Sequence, residues 1–456
     1  MMETQIGQHI KELMQILLGK NKQGGLRAQM VRGASGTFVL KVVNTALALA
    51  ISLILARILG AQEYGVYAYA ISWASLLSIP TVLGLSTLLI REVARYKALG
   101  DWRTLKGILL WSDRVVLLAS IGLTSVVTLS IWGFRGYFDL NVRTALWIAM
   151  ALVPLLSFLF LRQGALQGLG YVVEAQVPQL LILPGGFLVL TLGFYFTLGL
   201  SGPSVVGLRV LAGLIAVLIA FFLLRKHSPE PILDVSPVYR QREWFKSTFP
   251  LVFVRAAGMI NPLISTVMVG TMLGTKAAGI FDVAMKGATL VSFVLMGINA
   301  PLAPAIAELY ALEEKERLQR LVTKSVRVAF LFSLPVAIGL ILFGRWVLLI
   351  FGKEFIAGSI TIAILSAGQL MNVGIGSVEF LLNMTGHEWD TAKGAGIAVF
   401  TNVVFNVILI HLWGVKGAAT AFIISLIIWK TILAIYVHKK LGICPTALGR
   451  QIQGTG

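Results

Sequence analysis

Two cations stand where an apolar chain should not tolerate them. Lys41 lies in TFVLKVVNTALALAISLILA, and Arg255 lies in FPLVFVRAAGMINPLIS, 214 residues later. Each sits about five residues inside an apolar run, about 7 Å deep at 1.5 Å per residue. A charge at the centre of a membrane helix costs about 2.5–3.5 kcal/mol on insertion scales. Two such cations facing one vestibule would attract an anion. Phosphate or pyrophosphate suits the planar, bidentate guanidinium of arginine especially well. For either residue alone, the competing account is a long side chain that snorkels to the interface. Their equivalent positions give the shared binding role equal standing.

Other charged residues interrupt apolar runs: Asp113, Arg114, Arg209, Asp282, Lys286, Glu379 and Lys430. Arg114 and Arg209 are weaker candidates for the same anionic headgroup. Asp282 and Lys286 stand at i and i+4, the spacing of an ion pair on one helix. Asn372, Glu379 and Asn383 follow spacings of seven and four. That spacing predicts one helical face, able to line a cavity or carry a proton or cation. With Lys41 and Arg255 included, the balance of these charges is basic, which disfavours a cationic cargo.

Residue patterns that would make the chain an enzyme are missing. No HExxH, P-loop, GxSxG or GxGxxG pattern stands in a soluble domain. Cys444 is the one cysteine, so neither an internal disulfide nor a CxxC metal site is expected. The five histidines are scattered. No cofactor or metal is expected, and no loop is long enough for an ATPase or glycosyltransferase domain. Uphill movement would draw on an ion gradient, the membrane potential or removal of product.

The elements that must hold these residues follow from composition. The chain has 456 residues, is 57% hydrophobic and 13% charged, and has a mean hydropathy of +0.86. Soluble domains run near 25% charged, so an all-α polytopic membrane protein is expected. About twelve runs are long enough to cross: 36–59, 64–89, 107–131, 144–163, 177–199, 205–224, 250–272, 276–302, 326–349, 359–384, 394–413 and 417–438. The net charge of +18 sits in the loops. About 24 Lys and Arg fall on the side that carries both termini and about 7 on the other. The positive-inside rule then places both termini in the cytoplasm; the chain is expected in the cytoplasmic membrane. This topology explains the basic balance without a nucleic-acid partner. Residues 1–35 show no cleavable leader and read as an amphipathic surface helix or a solvated arm.

The sequence also repeats. LGAQEYGVYAYA begins at Leu59 and LGTKAAGIFDVA at Leu273. Glu92 and Glu308, then Gly170 and Gly386, recur at an offset of 216. Gly199-x-x-Gly202 and Gly414-x-x-Gly417 recur at 215. Ordered landmarks at a near-constant offset predict two parallel six-helix bundles, 36–224 and 250–438. The arm 1–35, a cytoplasmic linker 225–249 and a tail 439–456 flank or join them. Such bundles suit alternating access around a seam.

LARILGAQEYGVYAYAISWASLL, GLSTLLIREVARY and LQGLGYVVEAQ, with the early Lys41, resemble the polysaccharide and O-antigen flippases. These belong to the multidrug/oligosaccharidyl-lipid/polysaccharide exporter superfamily, and the resemblance covers about residues 30–440. It implies a V-shaped pair of six-helix bundles. It also implies transfer of polyprenyl-pyrophosphate-linked oligosaccharide to the outer leaflet for cell-surface polysaccharide such as the O-antigen of lipopolysaccharide. Cavity cations would meet the headgroup, and Lys41 and Arg255 match by kind and position. The partners implied are the lipid-linked substrate, membrane lipids, and glycan polymerases or glycosyltransferases of the same pathway. Two relatives of the family compete: lipid II flippases, which often carry fourteen helices, and multidrug exporters, for which Asp113, Asp282 and Glu379 would be the residues to test. A non-transporting scaffold is the alternative from outside the family.

Overall fold

In hydrocarbon, every backbone N–H and C=O must be satisfied within its own segment or a closed barrel. Continuous apolar runs therefore fold as helices. The structure, a computed structural model, describes the backbone of residues 26–82, 84–195 and 199–447. It is 89% helical, with no strand among the described residues. The first helices are α1 (Leu26–Val82), α2 (Leu85–Leu99), α3 (Trp102–Gly133), α4 (Leu140–Met150), α5 (Leu152–Gly168), α6 (Leu183–Tyr195) and α7 (Gly202–His227). A single helical turn, α8 (Pro231–Asp234), precedes α9 (Gln241–Leu273), α10 (Thr275–Ala311) and α11 (Lys315–Phe351). The chain closes with α12 (Ser359–Ile375), α13 (Val378–Met384), α14 (Glu388–Trp413) and α15 (Val415–Leu441).

Ten stretches of the described residues are long and apolar enough to span. The first, Ser35–Val82, has 48 residues, about 72 Å of helix against about 30 Å of hydrocarbon. It is two passes, broken at Gly60 (φ 71°, ψ 178°). Gly274, between α9 and α10, has nearly the same conformation (φ 89°, ψ 168°). That region of backbone space is open essentially to glycine alone. The described part of α9 adds a shorter apolar helix, Ile260–Leu273. With the second pass of α1, the passages come to about twelve, as the apolar runs predict. Gly170 (φ 98°) and Gly386 (φ 80°) also take matching left-handed conformations.

Expectations change at three runs: 144–163 is divided between α4 and α5 at Ala151, and two others break at glycines. The run 64–89 is not one helix, because α1 ends at Val82 and α2 begins after Gly84 (φ 70°). The run 359–384 breaks at Gly376 (φ 85°, ψ −167°), against which Val326 and the Pro445 carbonyl are packed. Asn372 therefore lies on α12 while Glu379 and Asn383 lie on α13. The single face predicted for the three residues does not exist, because no continuous helix joins them.

The join between the first and second halves of the chain is a close helix contact. Gly65 lies under the Thr275 carbonyl and beside Gly279, so any side chain there would meet backbone. Small residues let membrane helices approach in this way. Ser52 reaches Lys286, and Phe38 covers Gly297. These contacts run the first pass of α1 antiparallel to α10.

At the opposite end from Gly60, the segment before α9 lies extended along the start of α3. Val238 N–H donates to the Arg103 carbonyl (3.0 Å), Arg103 donates to Ser236 Oγ (2.7 Å), and Lys106 donates to the Val235 carbonyl (3.0 Å). Trp244 is fully buried against Trp111 and donates to the Tyr96 hydroxyl (3.2 Å). Burial pushes the Tyr96 phenol up from its ordinary range. Asp101 caps α3 by accepting from Thr104 N–H (3.1 Å). That hydrogen bond holds its carboxyl below the usual range. Of the arm 1–35, residues 26–35 belong to α1, and residues 1–25 lie outside the described residues.

Candidate functional site

The polar centre of the molecule lies where α1 meets α10. The Lys286 ammonium sits 2.8 Å from Asp282 Oδ2, one turn back on the same helix. It also donates to Ser52 Oγ (3.0 Å) and Tyr64 OH (3.1 Å), both on α1. Tyr64 donates in turn to Asp282 Oδ2 (2.6 Å). Ser52 and Tyr64 flank the Gly60 break, so the cluster ties both passes of α1 to α10. It is built from polar bonds that can exchange partners. Towards the Gly60 end the tie continues through Gln62 to Thr275 (3.1 Å), and Tyr69 joins the second pass of α1 to Thr271 of α9 (3.0 Å).

The three carboxylates singled out in the sequence each have a cationic partner. Asp113 on α3 pairs with Arg162 on α5 (2.5 Å), and Glu379 on α13 pairs with Lys430 on α15 (3.3 Å). Arg162 is buried, and its guanidinium also lies 4.0 Å from the Phe221 ring centre. Burying a charge is tolerated when it is paired and hydrogen-bonded in this way. Asp113, Asp282 and Glu379 are all matched.

Three of the cations left without a carboxylate, among the described residues, are ones the sequence singles out. Lys41 is half-buried on α1, eleven residues before Ser52 and on the same helical face. Since Ser52 faces α10, so does Lys41. Arg209 on α7 lies with its guanidinium 5.0 Å from the Phe187 ring centre. Arg114 on α3 reaches Tyr239 of the connecting segment at 5.7 Å. These three are not brought to one point. Lys41 is 19 residues before Gly60, about 28 Å along the helix. Arg209 is seven residues past Gly202, which Glu63 caps at the Gly60 end. Arg255 falls on helical backbone of α9, and its side chain lies outside the described residues.

Asn372 donates to Gln369 (3.2 Å), and its Oδ1, like that of Asn383, is buried without a protein partner. A further polar ladder joins α9 to α14. Asn402 donates to the Asn261 carbonyl (3.0 Å), and Ser265 donates to Asn402 Oδ1 (3.3 Å), all buried.

The comparisons with known proteins follow this geometry. Residues 30–310 match the family model described as polysaccharide biosynthesis protein. The chain belongs to the polysaccharide biosynthesis protein family. Residues 250–414 of this family member also match the MatE model. It is 23% identical over 400 residues to the probable low-salt glycan biosynthesis flippase Agl15 of Haloferax volcanii, covering 85% of this chain and 79% of that one. It is 25% identical over 198 residues to the probable flippase AglR of the same organism, covering 42% of each. The chain thus spans less than half the length of AglR. The fold is similar to that of a multidrug resistance MATE family transporter solved in an inward-facing conformation, at TM-score 0.74, 16% identity and 88% and 94% coverage. A transporter of the same superfamily from Pyrococcus furiosus, described as having a binding pocket of reverse polarity, superposes at TM-score 0.66 with 15% identity and 94% and 97% coverage.

Three residues of the family member's polar network escape the sequence reading. Ser52 and Tyr64 carry no charge, and nothing marks them off from other polar residues in apolar runs. Arg162 lies at the end of the run 144–163, where nothing marks it off from an ordinary cation at a helix end. The signal that could have found it is Asp113, an intramembrane carboxylate in need of a partner.

Proposed function

We propose that this chain is a membrane flippase of polysaccharide biosynthesis, moving polyprenyl-(pyro)phosphate-linked oligosaccharide from the inner to the outer leaflet. The observation that carries this reading is the charge matching inside the membrane. Three carboxylates are neutralised by Arg162, Lys286 and Lys430, and the surplus charge is positive. A surplus of cations holds an anionic headgroup. A cationic cargo would need a carboxylate with no partner. The names of the relatives support the same reading.

The working parts are two six-helix units, 36–224 and 250–438, joined by 225–249. The matched conformations of Gly60 with Gly274 and of Gly170 with Gly386 support this division. The arginine-rich ends face the cytoplasm, as do both termini, and the Gly60 end faces outward. Lys41, with Arg255 from the other unit, takes the phosphate from the inner leaflet while the lipid tail stays in the bilayer. The units then rock, and the Asp282–Lys286–Ser52–Tyr64 cluster breaks and re-forms as the outer side opens and closes. No bond of the substrate is made or broken. Glycosyltransferases would supply the substrate and a polymerase would consume it.

Proteoliposomes with a fluorescent polyprenyl-pyrophosphate oligosaccharide in both leaflets test this directly, an impermeant quencher reading the outer one. Lys41→Ala with Arg255→Ala should slow protein-dependent exchange at least tenfold at equal protein. Unchanged exchange in that double variant sinks the headgroup role. The match of 250–414 to the MatE model favours one other reading, export of a cationic compound. Movement of a cationic dye alone, driven by an ion gradient, would establish it.

A further inference from the structure

At the Gly60 end, a crevice of about 430 Å³ opens between α1 and the turn that follows α11. Its walls include Arg57, Gly60, Phe351, Lys353, Glu354 and Phe355. The two sides are held by two contacts. Arg57 Nε donates to the Ile350 carbonyl (2.6 Å), which leaves both Nη nitrogens without a protein partner among the described residues. Glu354 crosses the other way. Its Oε2 accepts from Ala61 N–H (2.8 Å), and its Oε1 lies 3.6 Å from the Lys276 ammonium.

Arg57 and Lys353 thus line the same crevice as this carboxylate, and Lys276 lies beside it. Lys353 is exposed and has no ion pair among the described residues. In the last turns of α11 before the crevice, Phe343, Trp346 and Ile350 are exposed apolar side chains. The combination is amphipathic: cations at the crevice and exposed apolar side chains in the turns before it.

We infer that this crevice is an exit-side site for the phosphate or pyrophosphate ester of a lipid, and that Glu354 occupies it as an internal stand-in when the outer seam is closed. The inference rests on the flippase reading. The Glu354 carboxylate takes an N–H and an ammonium that a phosphate oxygen would take equally well. A pyrophosphate would add bonds to Arg57 Nη and Lys353, which the carboxylate does not reach. An arriving headgroup therefore competes with Glu354. Displacing it removes one of the contacts that hold the two halves together at this end.

The test is binding of farnesyl pyrophosphate to the full chain in phosphatidylcholine nanodiscs, by titration calorimetry. Arg57→Gln with Lys353→Gln should weaken binding at least tenfold. Glu354→Gln should tighten it severalfold, because the competitor is gone; a damaged fold would not produce a gain. Inorganic pyrophosphate, run in parallel, separates the two sources of the anion. Binding at least tenfold weaker than farnesyl pyrophosphate identifies a lipid headgroup, and equal binding overturns the lipid assignment. Equal farnesyl pyrophosphate affinity in wild type and both variants, with loss in Lys41→Ala, overturns this site and leaves the flippase reading standing. No binding to the wild type overturns both.

Discussion

Arg162 and Asp113 show what a charge inside this membrane protein requires. Arg162 is 3% exposed and donates to Asp113 at 2.5 Å. Arg162→Met leaves a carboxylate stranded, and removing one partner of a buried pair costs about 3–5 kcal/mol. The loss should show as a lowered thermal midpoint in detergent. Adding Asp113→Leu should recover most of it, because an apolar pair of similar volume has no charge to desolvate. At the seam the contrast is different. Tyr64→Phe removes a hydroxyl from a cluster in which Lys286 keeps Asp282 and Ser52. A loss of about 1 kcal/mol is expected, with exchange in proteoliposomes altered by less than tenfold. A tenfold loss would make the hydroxyl itself part of the transport step.

Among the elements, the breaks in the helices are as specific as the helices. Gly60 and Gly274 lie in backbone space that a Cβ excludes, a strain of about 1–3 kcal/mol each for any other residue. Gly60→Ala and Gly274→Ala should each lower the thermal midpoint. Gly185→Ala, where a Cβ meets open space on α6, should be neutral or stabilising by up to about 1 kcal/mol. The Asp101 cap carries a pH signature. Its folded-state pKa lies below that of the unfolded chain, so its contribution is complete above the usual carboxylate range. The contribution is lost as pH falls through the folded value. Asp101→Ala should therefore cost about 0.5–2 kcal/mol at neutral pH and nothing in strong acid. Hydrogen exchange in the first turn of α3 at the two pH values would read this difference.

The elements also mark how far the sequence could be read. Apolar runs of about twenty residues have one stable form in lipid, so the number of passages is legible without coordinates. The Leu-Gly landmarks carry backbone conformation in their residue types, so Gly60 and Gly274 are legible too. Gly376 is not. A lone glycine in an apolar run is tolerated in a helix or ends it, and the outcome here depends on Val326 and the Pro445 carbonyl from distant parts of the chain. The Asp282–Lys286 pair is written in its i, i+4 spacing. Arg162 is 49 residues from Asp113 and depends on how α3 packs on α5. Ser52 and Tyr64 needed the register of α1 on α10.

For the whole molecule, orientation decides which leaflet is served. Tyr137 (86% exposed) lies at the Gly60 end, and Leu99 (68% exposed) lies at the arginine-rich end. In a Cys444→Ser background, Tyr137→Cys should react with an impermeant maleimide on intact cells. Leu99→Cys should react only after permeabilisation. The reverse pattern would invert the proposed direction of transfer. The pairing at the seam has a consequence for the electrical work of the cycle. Moving one elementary charge across the membrane potential is worth about 2.3 kcal/mol per 100 mV. Asp282 and Lys286 sit on one helix and travel together, so parting them from Ser52 and Tyr64 carries no net charge through the field. Asp113 with Arg162, and Glu379 with Lys430, are likewise neutral couples within their own halves. In the proposed cycle, voltage would act on the anionic cargo and on the cation that receives it, while the seam cluster would move no net charge.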